Sequence, residues 1–277
     1  MVSSMSALLE RYNGFLLDAF GVLLDKHQAL PGAVELIETL KREGLPWLVV
    51  TNSASRLPET LSAELDALGL RVPPEHILTS GSLLADPEHA GPLTGRRAVV
   101  LGPRESAVYA ERAGAVVVAL TDDVDAEAII IADQKDLRWP EQMDQLLSLL
   151  LRRLDTGRPL QLLLCNPDLI YPVRPGRVAL TAGALAAMVE AVLHERWPQA
   201  GLGFVRLGKP SPAIFEAAQR RLGADRPVML GDQLATDIAG AAAAGIDSVL
   251  VGTGLAPAQG QVTAGAQPTW LLPSLAH

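Results

Sequence analysis

Short apolar runs alternate with stretches of helical periodicity along this chain, and Gly or Pro closes most of them. GFLL at 14–17 and WLVV at 47–50 are short and apolar throughout, which reads as strands buried on both faces. Between them Val34, Ile37 and Leu40 share one helical face after Pro31-Gly32, predicting a helix over 33–43 that Gly44 stops. Leu57, Leu61, Leu65 and Leu68 predict a second helix, ending at Gly69. This β-α-β-α rhythm implies a parallel sheet flanked by helices.

Residues 85–95, ADPEHAGPLTG, crowd Pro and Gly into a linker, and the rhythm then begins again. Strands are expected at 97–101, 115–119, 128–131 and 160–164, with helices near 104–113, 140–153 and 182–194. After RWPQAGLG (196–203), a third segment predicts a helix at 212–222, a strand at 227–230, a helix at 234–244 and a strand at 248–251. The simplest organisation is a discontinuous core of 1–85 and 200–277, interrupted by an inserted domain over 86–199.

Composition narrows the function classes. The 277 residues are 49% apolar and only 4% aromatic, which suits a helix-rich globular protein with a sizeable core. A formal charge of −8 argues against nucleic acid or an anionic membrane as partner, since both demand a basic surface. Cys165 is the only cysteine, so no disulfide framework or thiolate metal site can form within the chain. The five histidines lack ligand spacing, and GTGLAP (252–257) lacks the Lys-Ser/Thr of a P-loop, reading instead as the loop after the final core strand. With no leader pattern and no uninterrupted apolar span, a soluble, cytoplasmic protein is expected.

In a parallel sheet, ligands bind beyond the carboxyl ends of the strands. Asp18 follows GFLL, Thr51-Asn52 follow WLVV, and Gly231-Asp232 follow PVML. Lys209, in LGKPSP, follows a short apolar segment at 204–207 and precedes a helix. Singly, each reads first as a cap or turn former. Together they share a chemistry, phosphoryl transfer through an aspartyl phosphate. A carboxylate can attack phosphorus and divide one difficult displacement into two easier steps. The Thr51 hydroxyl and Lys209 would hold the phosphoryl oxygens, while Mg²⁺ between Asp18 and Asp232 would offset the repulsion between a carboxylate and an anionic substrate.

On DAFGVL (18–23), VVTN (49–52), GKPSP (208–212) and GDQLATDIAGAAAAG (231–245), the chain resembles the haloacid dehalogenase-like (HAD) hydrolases over nearly its whole length. That resemblance implies an α/β fold: a Rossmann-like core with a parallel sheet, plus an inserted α/β cap of the C2a type. It implies Asp18 as nucleophile, Thr51 and Lys209 on the phosphate, and Mg²⁺ held by Asp18, the backbone carbonyl of Phe20 and Asp232, with Asp237 supporting the metal site. Asp18 and Thr51 are too close in the chain to admit a cap, whereas the interval from Thr51 to Lys209 is long. With PGAVELI (31–37) and CNPDLIYP (165–172), this is similar to class IIA, the NagD-like nitrophenylphosphatase group. By that likeness Asn166, Pro167 and Asp168 form a cap loop that, with Asn52, helps to choose a small phosphorylated metabolite. Caps of this group often pair subunits, so a homodimer through the cap is expected.

Phe20 departs from the family pattern. Most of its phosphatases carry Asp there, to protonate the leaving group and then activate water, and Phe can do neither. Three readings stay open. One is a slow or specialised Mg²⁺-dependent phosphatase, with His27 as the nearest substitute base. Another is a catalytically impaired phosphate-ligand binding or regulatory protein. The third is a metal-independent dehalogenase, whose relatives carry an aromatic at this position but lack GDxxxxD.

Overall fold

The computed structural model describes residues 4–25, 27–174, 176–252 and 267–276. The chain divides into two compact units, one of Met1–Thr51, Pro58–Leu78 and Lys209–His277, the other of Asn52–Leu57 and Thr79–Gly208. The chain leaves the first unit after Thr51, re-enters it at Pro58, leaves again after Leu78 and returns at Lys209.

The first unit starts with helix α1 (Met5–Arg11), capped by the Ser4 side chain, and then β1 (Gly14–Leu17). Next come α2 (Ala33–Arg42), β2 (Trp47–Thr51), α3 (Pro58–Ala67) and β3 (Ile77–Thr79). On α2 the buried stripe is Ala33, Leu36, Ile37 and Leu40, whereas Val34, expected to face inward, is exposed. Leu36 completes an i, i+3, i+4, i+7 face, which places Val34 on the far side of the helix.

In the second unit the chain forms β4 (Arg97–Leu101), α4 (Arg104–Arg112), β5 (Val116–Val117), β6 (Ala128–Ile131), α5 (Glu141–Leu154) and β7 (Gln161–Leu164). A hairpin of β8 (Ile170–Arg174) and β9 (Arg177–Leu180), then α6 (Ala182–Arg196) and β10 (Val205–Arg206), complete it. The five-stranded sheet runs β10-β7-β6-β4-β5, with Ile129, Ile131, Leu146, Leu149, Leu162 and Val189 among its core. The apolar segment before Lys209, which the sequence analysis put in the core, pairs instead with β7 through Val205 and Arg206. The observed division therefore falls at 208/209 where 200 was expected, and at 78/79 where 85 was expected.

Back in the first unit, α7 (Pro212–Leu222) has Ser211 as N-cap, Pro at its first position and left-handed Gly223 as C-cap. It leads to β11 (Pro227–Gly231), a π-helical turn at Leu234–Ile238, the short α8 (Ala239–Ala243), β12 (Asp247–Val251) and β13 (Trp270–Leu272). Strand β13 shows that 248–251 is not the last core strand. Its Trp270 indole N–H donates to Tyr12 Oη at 2.8 Å, and that hydroxyl donates to Asp247 Oδ2 at 2.7 Å. All but the first residue of GTGLAP lie outside the described residues.

The six-stranded sheet has the order β13-β12-β11-β1-β2-β3, and β1 runs parallel to both β2 and β11. Phe15, Leu17, Val49, Val228, Leu230 and Val249 are in its core. From β1 the chain moves to β2 and β3 on one side, and β11, β12 and β13 are laid down on the other. The carboxyl ends of β1 and β11 therefore flank a topological switch point, where open α/β sheets place their ligands.

Candidate active site

Register delivers the first residues. Leu17 lies opposite Leu230 across the β1–β11 pair, and the Asp18 amide donates to the Leu230 carbonyl at 2.9 Å. Asp18 and Asp232 thus leave adjacent parallel strands on the same edge, while Thr51 closes β2 on the other side of β1. Gly21 makes room for this turn. It has a φ of +90°, and a Cβ there would overlap the Asp232 carboxylate.

Lys209 enters from the start of the segment leading to α7. Its Nζ donates to Asp18 Oδ1 and to Asp237 Oδ1, at 2.6 Å each, and the side chain is 3% exposed. Asp237 is fully buried, and its Oδ2 accepts the Gln233 amide at 3.1 Å. Asp237 was expected on the first turns of an ordinary helix. It stands on the π-helical turn, whose wider winding is a recurrent feature of functional sites.

The carboxylates of Asp18, Asp232 and Asp237 each bring an oxygen within 4.8 Å of the others, all three buried. Lys209 Nζ contacts two of these three carboxylates, Asp18 and Asp237. Burial, partly countered by Lys209 and reinforced by Asp237 and Asp232, drives the Asp18 carboxyl well above its ordinary range. Burial alone would lower the Lys209 ammonium, but the Asp18 and Asp237 carboxylates overcome it and raise it. The negative charge left over and the all-oxygen donor set fit a hard divalent cation such as Mg²⁺.

Phe20 sits in the turn after Asp18, 40% exposed, and its neighbour Gly21 donates its amide to the Leu24 carbonyl at 2.9 Å. His27 is also exposed, in a local turn in which its amide donates to Asp25 Oδ1 at 2.7 Å. Cys165 is buried, which pushes its thiol up to about 12 and removes it as a nucleophile at neutral pH.

The remaining predicted residues lie in the second unit. Asn52 Nδ2 donates to Asp168 Oδ1 at 3.1 Å, and the Asp168 amide donates to Asn166 Oδ1 at 3.0 Å. Sequence reasoning missed the residues that hold the segment after Thr51, namely Ser80, Glu105, Ser106 and Tyr109. No spacing marks them, because they act on backbone groups brought near only by folding. It also missed Asp86, Glu88 and His89, whose ligand-capable atoms gather in a local turn.

Two family comparisons cover both arms of this architecture. Residues 15–116 match the family described as haloacid dehalogenase-like hydrolase, and residues 206–277 match the HAD-hydrolase-like family. The chain is a haloacid dehalogenase-like hydrolase. It is 28% identical to the ribonucleotide monophosphatase NagD of Escherichia coli strain K12, over 94% of this chain and 95% of that protein. It is 27% identical to the dihydroxyacetone phosphatase of Corynebacterium glutamicum, over 87% of this chain and 81% of that protein. The structure of a possible sugar phosphatase from Cytophaga hutchinsonii superposes with a TM-score of 0.84 at 29% identity, covering 100% of this hydrolase and 99% of that chain. The hydrolase therefore belongs with the NagD-like, class IIA branch, and its two units are the Rossmann-like core and the cap of that fold.

Proposed function

We propose that this hydrolase cleaves phosphoric monoesters of small metabolites through a phosphorylated Asp18. The observation that carries the reading is the buried cluster in which Lys209 Nζ spans Asp18 and Asp237 at 2.6 Å each, beside Asp232. The names of its relatives, a ribonucleotide monophosphatase and a dihydroxyacetone phosphatase, support a small phosphorylated substrate.

An Asp18 oxygen attacks phosphorus, the ester P–O bond breaks, and the leaving group departs as an alkoxide or phenolate that takes its proton from solvent water. Water then attacks the same phosphorus and returns Asp18 as a carboxylate with inorganic phosphate. Lys209 and the Thr51 hydroxyl hold phosphoryl oxygens, and Lys209 keeps the Asp18 carboxylate oriented. Asp18, Asp232 and the carbonyl of Phe20 would hold Mg²⁺, with Asp237 behind them. When bound, the cation supplies positive charge that lets an anionic ester approach a carboxylate. Phe20 gives the leaving group no proton, so turnover is slow or confined to esters whose alcohol leaves easily.

The test is a Mg²⁺-dependent screen of phosphate esters. Chelation with EDTA is expected to stop phosphate release, and added Mg²⁺ to restore it. Full release in the presence of chelator would remove the metal from the reading. Phe20 favours a second reading, a phosphate-ligand binding protein, and tight ligand binding without turnover on any ester would establish that instead. Metal-independent halide release would point to a dehalogenase, a reading that leaves Asp232 and Asp237 without a role.

We also propose that the cap pairs two subunits. Leu169, Ile170, Val178 and Leu180 on and beside the β8–β9 hairpin are each more than half exposed, an apolar cluster of the kind that marks interfaces. Light scattering is expected to give the mass of a dimer, and a monomer after Val178→Lys with Leu180→Lys. A wild-type monomer at micromolar concentration would exclude it.

A further inference from the structure

Segment 52–57 follows a core strand in the chain but belongs to the second unit. Having left the sheet, its backbone needs other partners, and cap side chains supply them. Ser80 Oγ donates to the Asn52 carbonyl at 2.9 Å and to the Ser53 carbonyl at 3.2 Å. Ser106 Oγ donates to the Ala54 carbonyl at 2.7 Å, the Tyr109 hydroxyl donates to the Arg56 carbonyl at 2.6 Å, and Glu105 accepts the Leu57 amide. The residue directly after Thr51 is thus carried by the cap.

Its side chain is held as well. Asn52 Nδ2 donates to Asp168 Oδ1 at 3.1 Å, and Asn166 Oδ1 holds the Asp168 amide at 3.0 Å. Gly208, directly before Lys209, packs into the same group, because a Cβ there would meet the Cys165 carbonyl, Asn52 Oδ1 and Pro167 Cδ at 2.5, 2.6 and 2.8 Å. Asn52, the 165–168 loop and Gly208 therefore form one close-packed cluster inside the second unit. Its two outlying members are joined by single peptide bonds to Thr51 and Lys209, the residues assigned to the phosphate.

We propose that Asp168 is a positioning residue for this reaction: it fixes the Asn52 side chain, and through it the backbone that enters and leaves the phosphate residues. Its kinetic role rests on the phosphatase reading above. A carboxylate offered directly to a phosphate ester would repel it, whereas one engaged by an amide orders Asn52 before substrate arrives. Direct contact with a cationic or hydroxyl group of the substrate would make the charge of Asp168 essential. Positioning requires only its acceptor oxygen.

Asp168→Asn keeps the acceptor and removes the charge, Asp168→Ala removes both, and Asn52→Ala removes the donor. With p-nitrophenyl phosphate and Mg²⁺, Asp168→Ala is expected to lower kcat about tenfold with KM little changed, while Asp168→Asn stays within about twofold of wild type. The double variant Asn52→Ala with Asp168→Ala is expected to match the single variants, because both remove one shared interaction. Multiplying losses, or Asp168→Asn as impaired as Asp168→Ala, would overturn the proposal. Amide hydrogen exchange over residues 52–57 is read independently of turnover. It is expected to quicken in Asp168→Ala and not in Asp168→Asn, and unchanged exchange in Asp168→Ala would overturn the proposal as well. Failure of wild type to turn over any ester would instead remove the phosphatase reading, leaving hydrogen exchange to decide whether Asp168 holds this segment.

Discussion

Asp18→Asn is expected to abolish phosphate release, by at least about 10⁴-fold, while leaving the fold intact. The magnitude follows from losing a nucleophile rather than a helper, since removal of such a group typically leaves only the residual effect of binding and orientation. The fold should survive because Asn is nearly isosteric and can still accept from Lys209, whose Nζ lies 2.6 Å from Asp18 Oδ1. Lys209 also keeps its partner Asp237 at 2.6 Å. In metal-free buffer the variant should unfold at no lower temperature than wild type, because one of three mutually repelling buried carboxylates has gone. Initial rates and thermal melts in EDTA check the two halves separately. Retention of more than a few per cent of wild-type turnover would mean that Asp18 is not the nucleophile.

Phe20→Asp is expected to raise turnover, by up to the 10²- to 10⁴-fold that a positioned general acid/base contributes. The gain should be greatest for alkyl phosphates, whose alkoxide needs a proton to leave, and smallest for p-nitrophenyl phosphate, whose phenolate leaves readily. Phe20 is 40% exposed, so exchanging its ring for a carboxylate removes little from the core. The new acid adds charge beside Asp18, so the variant should depend more steeply on Mg²⁺. If it folds and binds metal yet hydrolyses alkyl phosphates no faster than wild type, the missing proton donor is not what limits this enzyme.

The positions of Asp18, Thr51 and Asp232 at the ends of β1, β2 and β11 were legible because apolar runs of strand length locate those ends, whereas the segment before Lys209 belongs to the other sheet. The cap was legible as an interval, through the long stretch between Thr51 and Lys209. Its edges were not. Val205 and Arg206 look like a core strand in isolation, and only their pairing with Leu163 and Leu164 assigns them to the other sheet. The strand β13 and the β8–β9 hairpin carry no strong period. Their place follows from partners such as Val249 for Trp270 and Leu180 for Ile170, far apart or offset in the chain.

Asn52 and Asp168 show the same limit at the site. Sequence likeness put both on the substrate, and nothing local to either residue says that each holds the other at 3.1 Å. What the sequence by itself determined is where the polar residues Asp18, Thr51 and Asp232 fall along the chain and in what order, because strand-end placement and apolar periodicity are local properties of the chain. Only the tertiary structure decided that Lys209 bridges Asp18 and Asp237, that Asp237 rides a π-helical turn, and that the residue after Thr51 is carried by the cap. Each of those depends on contacts between segments remote in sequence, and such contacts exist only once burial and hydrogen bonding have brought the segments together.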